Sequence, residues 1–540
     1  MNTRSLIFTL GSCCIASLAS PTQIVLGTSL IEQSELQHLP RKLHGRFLHI
    51  TDIHPDPFYE PGSSQSSACH RPNLEEERPA GYYGAPYSFC DSPFRLTNFT
   101  LDFLDEHWTS EIDFVISPRH DNDDDLPRSL DEIYDLNRAV AKKMEHVFLK
   151  KGIPVVPSLG NNDIWRPNQI LDEFSSIWSA FIPPTSSASF HQGAYFSTEI
   201  IPDAVAAISL NTLYFYKKNH AVAGCDYADP KNPGNMHLDW LEEQLEAFRS
   251  RQMQTYFPEC YKRFVELNLR FQDTILGNLY GHLNVDHFSF LDADEIDMSL
   301  ETSLKSTIFE TLIADFSEIP EPLEDTHYDN YAVVNVNSAV VPNPYIPSFR
   351  VFTYNVTGLS ALAKDVGSDL HLQTIKATQR RRALNHGKVR ASRTPKCEHR
   401  AFRNTWRCQS DKPWHSDSES PSRRNSLWSP LGFAQFYMPR LEEFDETHDP
   451  EFELEYMTFP LSNLHPGEET QNITNHQYVI PLRLLPEELR EPGAVESEYT
   501  PYELDDLTIP SWLDLATRLT KDSDLRSRFK DFMYMGGVEE

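Results

Sequence analysis

Residues 46–54 read RFLHITDIH. Phe47, Leu48 and Ile50 make a short apolar run, too brief for a helix, and the run predicts a buried strand over 46–51. That strand runs straight into Asp52-Ile53-His54-Pro55. An Asp-x-His at a strand end offers one carboxylate and one imidazole to a single cation, and both are ordinary ligands for Zn, Fe or Mn. Alone, the pattern reads more readily as a polar turn.

Working outward, similar runs predict strands over 112–117 (IDFVIS), 153–159, 204–210, 274–280, 331–336 and 349–354. Helical spacing falls between them: 101–108, 130–150 through Ile133, Leu136, Val140, Met144 and Phe148, 236–249 through Leu238, Leu241 and Leu245, and 259–272. A closing helix is expected over 508–519. Strand and helix alternate, so the class is α/β with a layered sheet. In such sheets chemistry gathers beyond the strand ends. The strand over 153–159 ends in Gly160-Asn161-Asn162-Asp163, and the one over 274–280 runs into GHLNVDH, with His282 and Asn284. Three strand ends carrying metal-capable side chains are harder to explain as turns than any one of them.

The 540 residues carry 48 basic and 79 acidic side chains, a formal charge of -31. So acidic a chain is not expected to bind nucleic acid, and it suits a polyanionic partner only where cations or a basic patch reverse the field. Residues 1–20 read as a signal peptide or signal anchor and 21–44 as a linker. The catalytic domain is expected over 45–357, a polar flexible insertion over 358–430, and a C-terminal extension packing on that domain over 431–540. Arg380, Arg381 and Arg382 form a basic cluster in the insertion, a candidate substrate-capture patch, although a solvated loop is the plainer reading. Cys69, Cys90, Cys225, Cys260, Cys397 and Cys408 suggest disulfides in an exported chain, Cys69 with Cys90 and Cys397 with Cys408 being the natural local pairs. Glycosylation sequons begin at Asn98, Asn355 and Asn472.

The order Asp-x-His, Gly-Asn, Gly-His, together with FLHITDIHPDPFY, ACHR to FCDSP, RHDND, PSLGNND, PECYKRF, GNLYGHLNVDHF and TIPSWLDLATRL, resembles the fungal vacuolar endopolyphosphatases, within the calcineurin-like metallophosphoesterases. The resemblance covers most of the chain from Phe47 to about Leu519. It implies a layered α/β/β/α sandwich, a vacuolar location, and metal-dependent hydrolysis of internal phosphoanhydride bonds of inorganic polyphosphate. Two divalent ions are implied (Mn, Mg, Zn, Fe or Co), with Asp52 and His54 on the first and Asn161 and His282 on the second. Asn284 stands where relatives carry a last histidine, His120 stands at the general-acid position, and Asn162 could hold a phosphate oxygen. Membrane association would follow from an uncut leader.

The sequence departs from that pattern twice. Ser117-Pro118-Arg119-His120 follows the strand IDFVIS where the family carries Gly-Asp, whose aspartate bridges both cations. Between 251 and 256 the family has a strand ending in Gly-His-Val-Pro-Pro, and here helix is expected to meet helix with no strand between. Two divalent ions about 3.5 Å apart repel by on the order of 20 kcal/mol at an effective dielectric of about 20, so the missing carboxylate predicts at most one weakly held cation. Two short deletions, each removing a ligand motif, read as misjoined exons in the gene. The alternatives are a catalytically impaired polyphosphate-binding glycoprotein and a sphingomyelinase-like phosphodiesterase; GNND and GHLN count against the latter.

Overall fold

The protein is described here from a computed structural model. It describes residues 43–539, apart from 74–77, 119–128, 161–169, 216–231, 252–254, 257–260, 294–306, 324–325, 358–417, 466–478 and 494–495.

The opening run forms β1 (Arg46–His49), all four residues buried. Its parallel neighbour is β4 (Phe114–Pro118), followed by β5 (Val155–Ser158), again parallel. On its other side it pairs antiparallel with β12 (Ser348–Tyr354), then β13 (Pro430–Tyr437) and β14 (Glu453–Met457), giving the order β14-β13-β12-β1-β4-β5. The Phe47 ring stacks on Phe114 at 4.7 Å and on Phe352 at 4.9 Å, so one aromatic ladder clamps three strands. A second sheet has the order β10-β11-β9-β8, built from β8 (Thr255–Tyr256), β9 (Ile275–Tyr280), β10 (His287–Asp292) and β11 (Tyr331–Val336). Short pairs complete the strands: β2 (Pro55–Asp56) with β3 (Ser92–Pro93), and the hairpin of β6 (Phe196–Ile201) and β7 (Val205–Ser209).

The helices obey their periodicity. The helix expected over 130–150 spans Leu130–Val147 and buries Ile133, Leu136, Val140 and Met144. Its start is fixed by a capping box in which Ser129 and Glu132 each satisfy the other's backbone N–H. The helices Pro233–Arg251 and Tyr261–Arg270 cover the second sheet, packing Leu238, Leu241, Leu245, Phe264 and Val265 against Ile275 and Val334. The closing helix Ile509–Lys521 sets Trp512 against Phe288, ring centroids 4.5 Å apart, and is followed by a further helix, Ser523–Tyr534, whose buried Phe529 also meets Phe288. Among the described residues no helix is long and apolar enough to cross a membrane.

Several boundaries differ from expectation. A strand does lie between the two helices near 252: β8, only two residues long, pairs parallel with β9. Two residues leave no periodicity to read, and the ladder with β9 is what makes them a strand. Residues 418–429, assigned to the flexible insertion, are packed, with Ser420, Ser422 and Ser429 buried and the Ser422 hydroxyl donating to the Gln272 carbonyl. Residues beyond 431 do more than pack on the domain, because β13 and β14 are strands of its main sheet.

The carboxyl ends of β1 and β9 are tied together by the chain that leaves β11. Asn337 N–H donates to the Tyr280 carbonyl at 3.0 Å, and its Nδ2 to the His49 carbonyl at 3.1 Å. Val340 and Val341 N–H donate to the Thr51 and Asp52 carbonyls at 3.1 and 2.8 Å. The loops after β1 and β9 are thereby held against each other.

Candidate metal centre at the strand ends

Asp52, His54, His282 and Asn284 all have positive φ, at 48°, 40°, 75° and 57°. Residues with a Cβ adopt this region at a cost, and such strain persists where the surroundings impose it, most often at functional sites. Here the imposed contacts are visible. The Asp52 Oδ2 accepts the His282 N–H at 2.9 Å, so the first strand's carboxylate caps the loop that follows β9. Gly281 permits the approach: a Cβ there would meet Asp52 Oδ2 and, at 2.8 Å, the Cβ of Thr51. Asn284 Nδ2 donates to the Asn343 carbonyl at 2.6 Å. That orientation leaves its buried Oδ1 with no hydrogen-bond partner among the described residues.

The His54 ring is buried between two carboxylates. Its Nδ1 lies 3.1 Å from Asp91 Oδ1, and its Nε2 lies 3.8 Å from Asp52 Oδ1. Burial opposes the charged ring, but Asp52 and Asp91 more than offset it and hold the imidazole up at about 10. At His282, burial and then the neighbouring His54 push the ring down from its usual value, against the pull of Asp52.

With the His54 ring proton displaced on binding, the Asp52 carboxylate and the His54 imidazole could share one divalent cation. A separation of 3.8 Å is too long for a hydrogen bond. Two donors each about 2.1 Å from a shared tetrahedral ion stand about 3.4 Å apart, so the pair would close by a few tenths of an ångström to share one. The Asn284 Oδ1, on the loop whose main chain Asp52 caps, is a buried amide oxygen without a hydrogen-bond partner among the described residues. Among the described residues no three His, Cys, Asp or Glu side chains form a metal-holding group, at this position or any other, so Asp52 and His54 are two ligands of a set the described residues do not complete.

Of the remaining candidates, His120, Asn161 and Asn162 lie outside the described residues, as do Arg380, Arg381 and Arg382. Cys69 and Cys90 are bonded as expected, while Cys225, Cys260, Cys397 and Cys408 lie outside the described residues. Asn98 is exposed on the helix Phe94–His107, and Asn472 is outside the described residues. Asn355 is buried, and its Nδ2, the atom a glycan would occupy, donates to Asn425 Oδ1 at 2.6 Å. Asp91, Gly281 and Asn337 were not expected at the site. Gly281 was visible as the glycine of the Gly-His motif and Asp91 as the carboxylate beside a cysteine in FCDSP; Asn337 carried no such mark.

No protein-family model matches the chain. Individual proteins do. It is 33% identical to the endopolyphosphatase of Cryptococcus neoformans, over 96% of this chain and 96% of that protein. That alignment runs over 671 positions, more than this chain has residues, so segments of the relative face gaps here. The endopolyphosphatase of Schizosaccharomyces pombe is 28% identical over 89% of this chain and 84% of its own length, and that of Candida glabrata 38% identical over 50% and 45%. With a third of its residues shared end to end, the chain belongs to the fungal endopolyphosphatase family.

Proposed function

We propose that this protein hydrolyses internal phosphoanhydride bonds of inorganic polyphosphate at the junction of the β1 and β9 ends, within a metallophosphoesterase-type α/β/β/α sandwich. The observation that carries the reading is the Asp52–His54 pair, open at 3.8 Å and locked by the His282 N–H onto the loop that brings in His282 and Asn284. A divalent cation bound there would neutralise phosphoryl oxygens and acidify an attacking water. Asp52 and His54 would hold it, with Asn284 Oδ1 as a further donor; His282 stands beside them with a depressed affinity for protons, ready to ligate or to accept a phosphate O–H. We place the protein in the vacuolar lumen or membrane, reached through the secretory pathway, with Asn98 glycosylated.

The test is a polyphosphate-shortening assay on the purified chain. A ladder of intermediate lengths is expected with Mn2+, none in EDTA and none for His282→Ala, whose melting temperature is measured alongside to separate lost chemistry from lost folding. Binding of polyphosphate without shortening favours the non-catalytic glycoprotein, a reading supported by the missing bridging aspartate. Sequencing the messenger across codons 110–125 and 245–262 accompanies the assay: extra codons for Gly-Asp and Gly-His-Val-Pro-Pro would supply the second cation's ligands.

A further inference from the structure

We propose that Asp91 is a positioning residue for the cation site, and that the Cys69–Cys90 disulfide is the brace that sets it. The proposal rests on the preceding reading that Asp52 and His54 share a divalent cation. His54 leads into β2, which runs parallel to β3 with Pro55 opposite Ser92 and Asp56 opposite Pro93. Ser92 N–H donates to the His54 carbonyl at 2.9 Å, so main chain as well as side chain joins the two segments. The Asp91 carboxylate, itself buried, reaches Nδ1 of His54. An imidazole whose Nδ1–H is held by a carboxylate has its ring plane fixed and its Nε2 aimed elsewhere, here toward Asp52.

Cys90 precedes Asp91 directly, and Cys69 precedes His70. The His70 Nε2 lies 2.5 Å from Asp56 Oδ2 on the same ribbon, so one disulfide anchors the partners of both His54 and Asp56. Both cysteines are fully buried in a small core with Tyr59, Ala80 and Ala85. Among the described residues of 55–93 the β-structure is the two-residue strands β2 and β3 and two isolated bridges, so the disulfide adds a covalent tie directly beside Asp91 to a lightly laddered segment.

The test measures Mn2+ binding to the metal-free protein by calorimetry. Asp91→Ala is expected to weaken the dissociation constant roughly 10–100-fold. Asp91→Asn, which keeps an acceptor, should lose less, and Cys69→Ser with Cys90→Ser should shift binding in the same direction. Wild-type affinity in Asp91→Ala overturns the proposal; where that variant does not fold, Asp91→Asn decides by the same criterion. A wild type that binds no Mn2+ sinks the reading of the preceding section instead. The crystal structure of metal-free Asp91→Ala then settles the positioning role: a displaced His54 ring sustains it, and an unmoved ring refutes it.

Discussion

At the scale of single residues, the candidate donors are read from local pattern and the contacts that hold them are not. Asp52, His54, His282 and Asn284 stand directly behind apolar runs, and a strand end is where a sheet presents side chains to a ligand. Asn337, by contrast, matters because its side chain reaches the His49 carbonyl 288 residues away, and no local pattern encodes such a partner. Gly281 is the sharpest single test of the packing. Adding one methyl forces it into Asp52 and Thr51, so Gly281→Ala should cost about 1–3 kcal/mol in urea denaturation and abolish Mn2+ binding. Asp286 was quoted only as part of GHLNVDH, yet it serves the core. It pairs with the fully buried Arg350, accepts the Tyr456 hydroxyl at 2.6 Å, and so neutralises a guanidinium lying 3.8 Å over the Phe433 ring. Asp286→Ala leaves that charge buried and unpaired, and should destabilise the protein by about 3–5 kcal/mol, measured by the same titration.

At the scale of elements, long periodic helices and buried strands were legible, whereas β8 and the β2–β3 ribbon exist only through their partners. A disulfide substitutes for regular structure in that ribbon. It closes a loop with a sequence separation of 21, which in the chain-entropy account stabilises by about 3 kcal/mol, so the Cys69→Ser, Cys90→Ser pair should melt correspondingly lower. Two other elements carry an acid liability. His49 on β1 and His237 on the helix Pro233–Arg251 are fully buried; burial holds both down to about 3, assisted at His49 by Arg350. Both pKa values are depressed on folding, so their contribution is complete above the unfolded value of 6.5 and is lost as pH falls toward 3, where the unfolded chain takes up protons that the folded one refuses. Each ring gives a slope of up to about 1.4 kcal/mol per pH unit in that window. His237→Phe keeps an aromatic ring against Tyr195, whose centroid lies 4.1 Å from the imidazole, and should flatten the fall in urea-denaturation free energy between pH 6 and pH 4. An unchanged acid slope would mean that other groups set it.

At the scale of the molecule, the pairing of β12 with β13 explains how the long polar stretch is tolerated: Thr353 lies opposite Gly432, so the chain leaves the main sheet and returns on the adjacent strand. Alternation of strand and helix made the α/β class legible, but not this return, because a 60-residue polar interval says nothing about where the chain re-enters. Net charge is legible without any structure, and it yields a prediction opposite in sign to ordinary electrostatic steering. A chain of formal charge -31 and a polyphosphate repel at long range, and a cation bound at the proposed site, or a basic cluster such as the arginines at 380–382, would pull the other way. Salt screens the long-range part first: the Debye length falls from about 30 Å at 0.01 M to about 8 Å at 0.15 M, whereas contacts at the site span a few ångströms. Raising KCl over that range at fixed Mn2+ should therefore increase kcat/KM for polyphosphate, through KM and with kcat little changed. If kcat/KM falls instead, a local positive field governs capture. Replacing Arg380, Arg381 and Arg382 with Ala should then remove the fall if those side chains are its source.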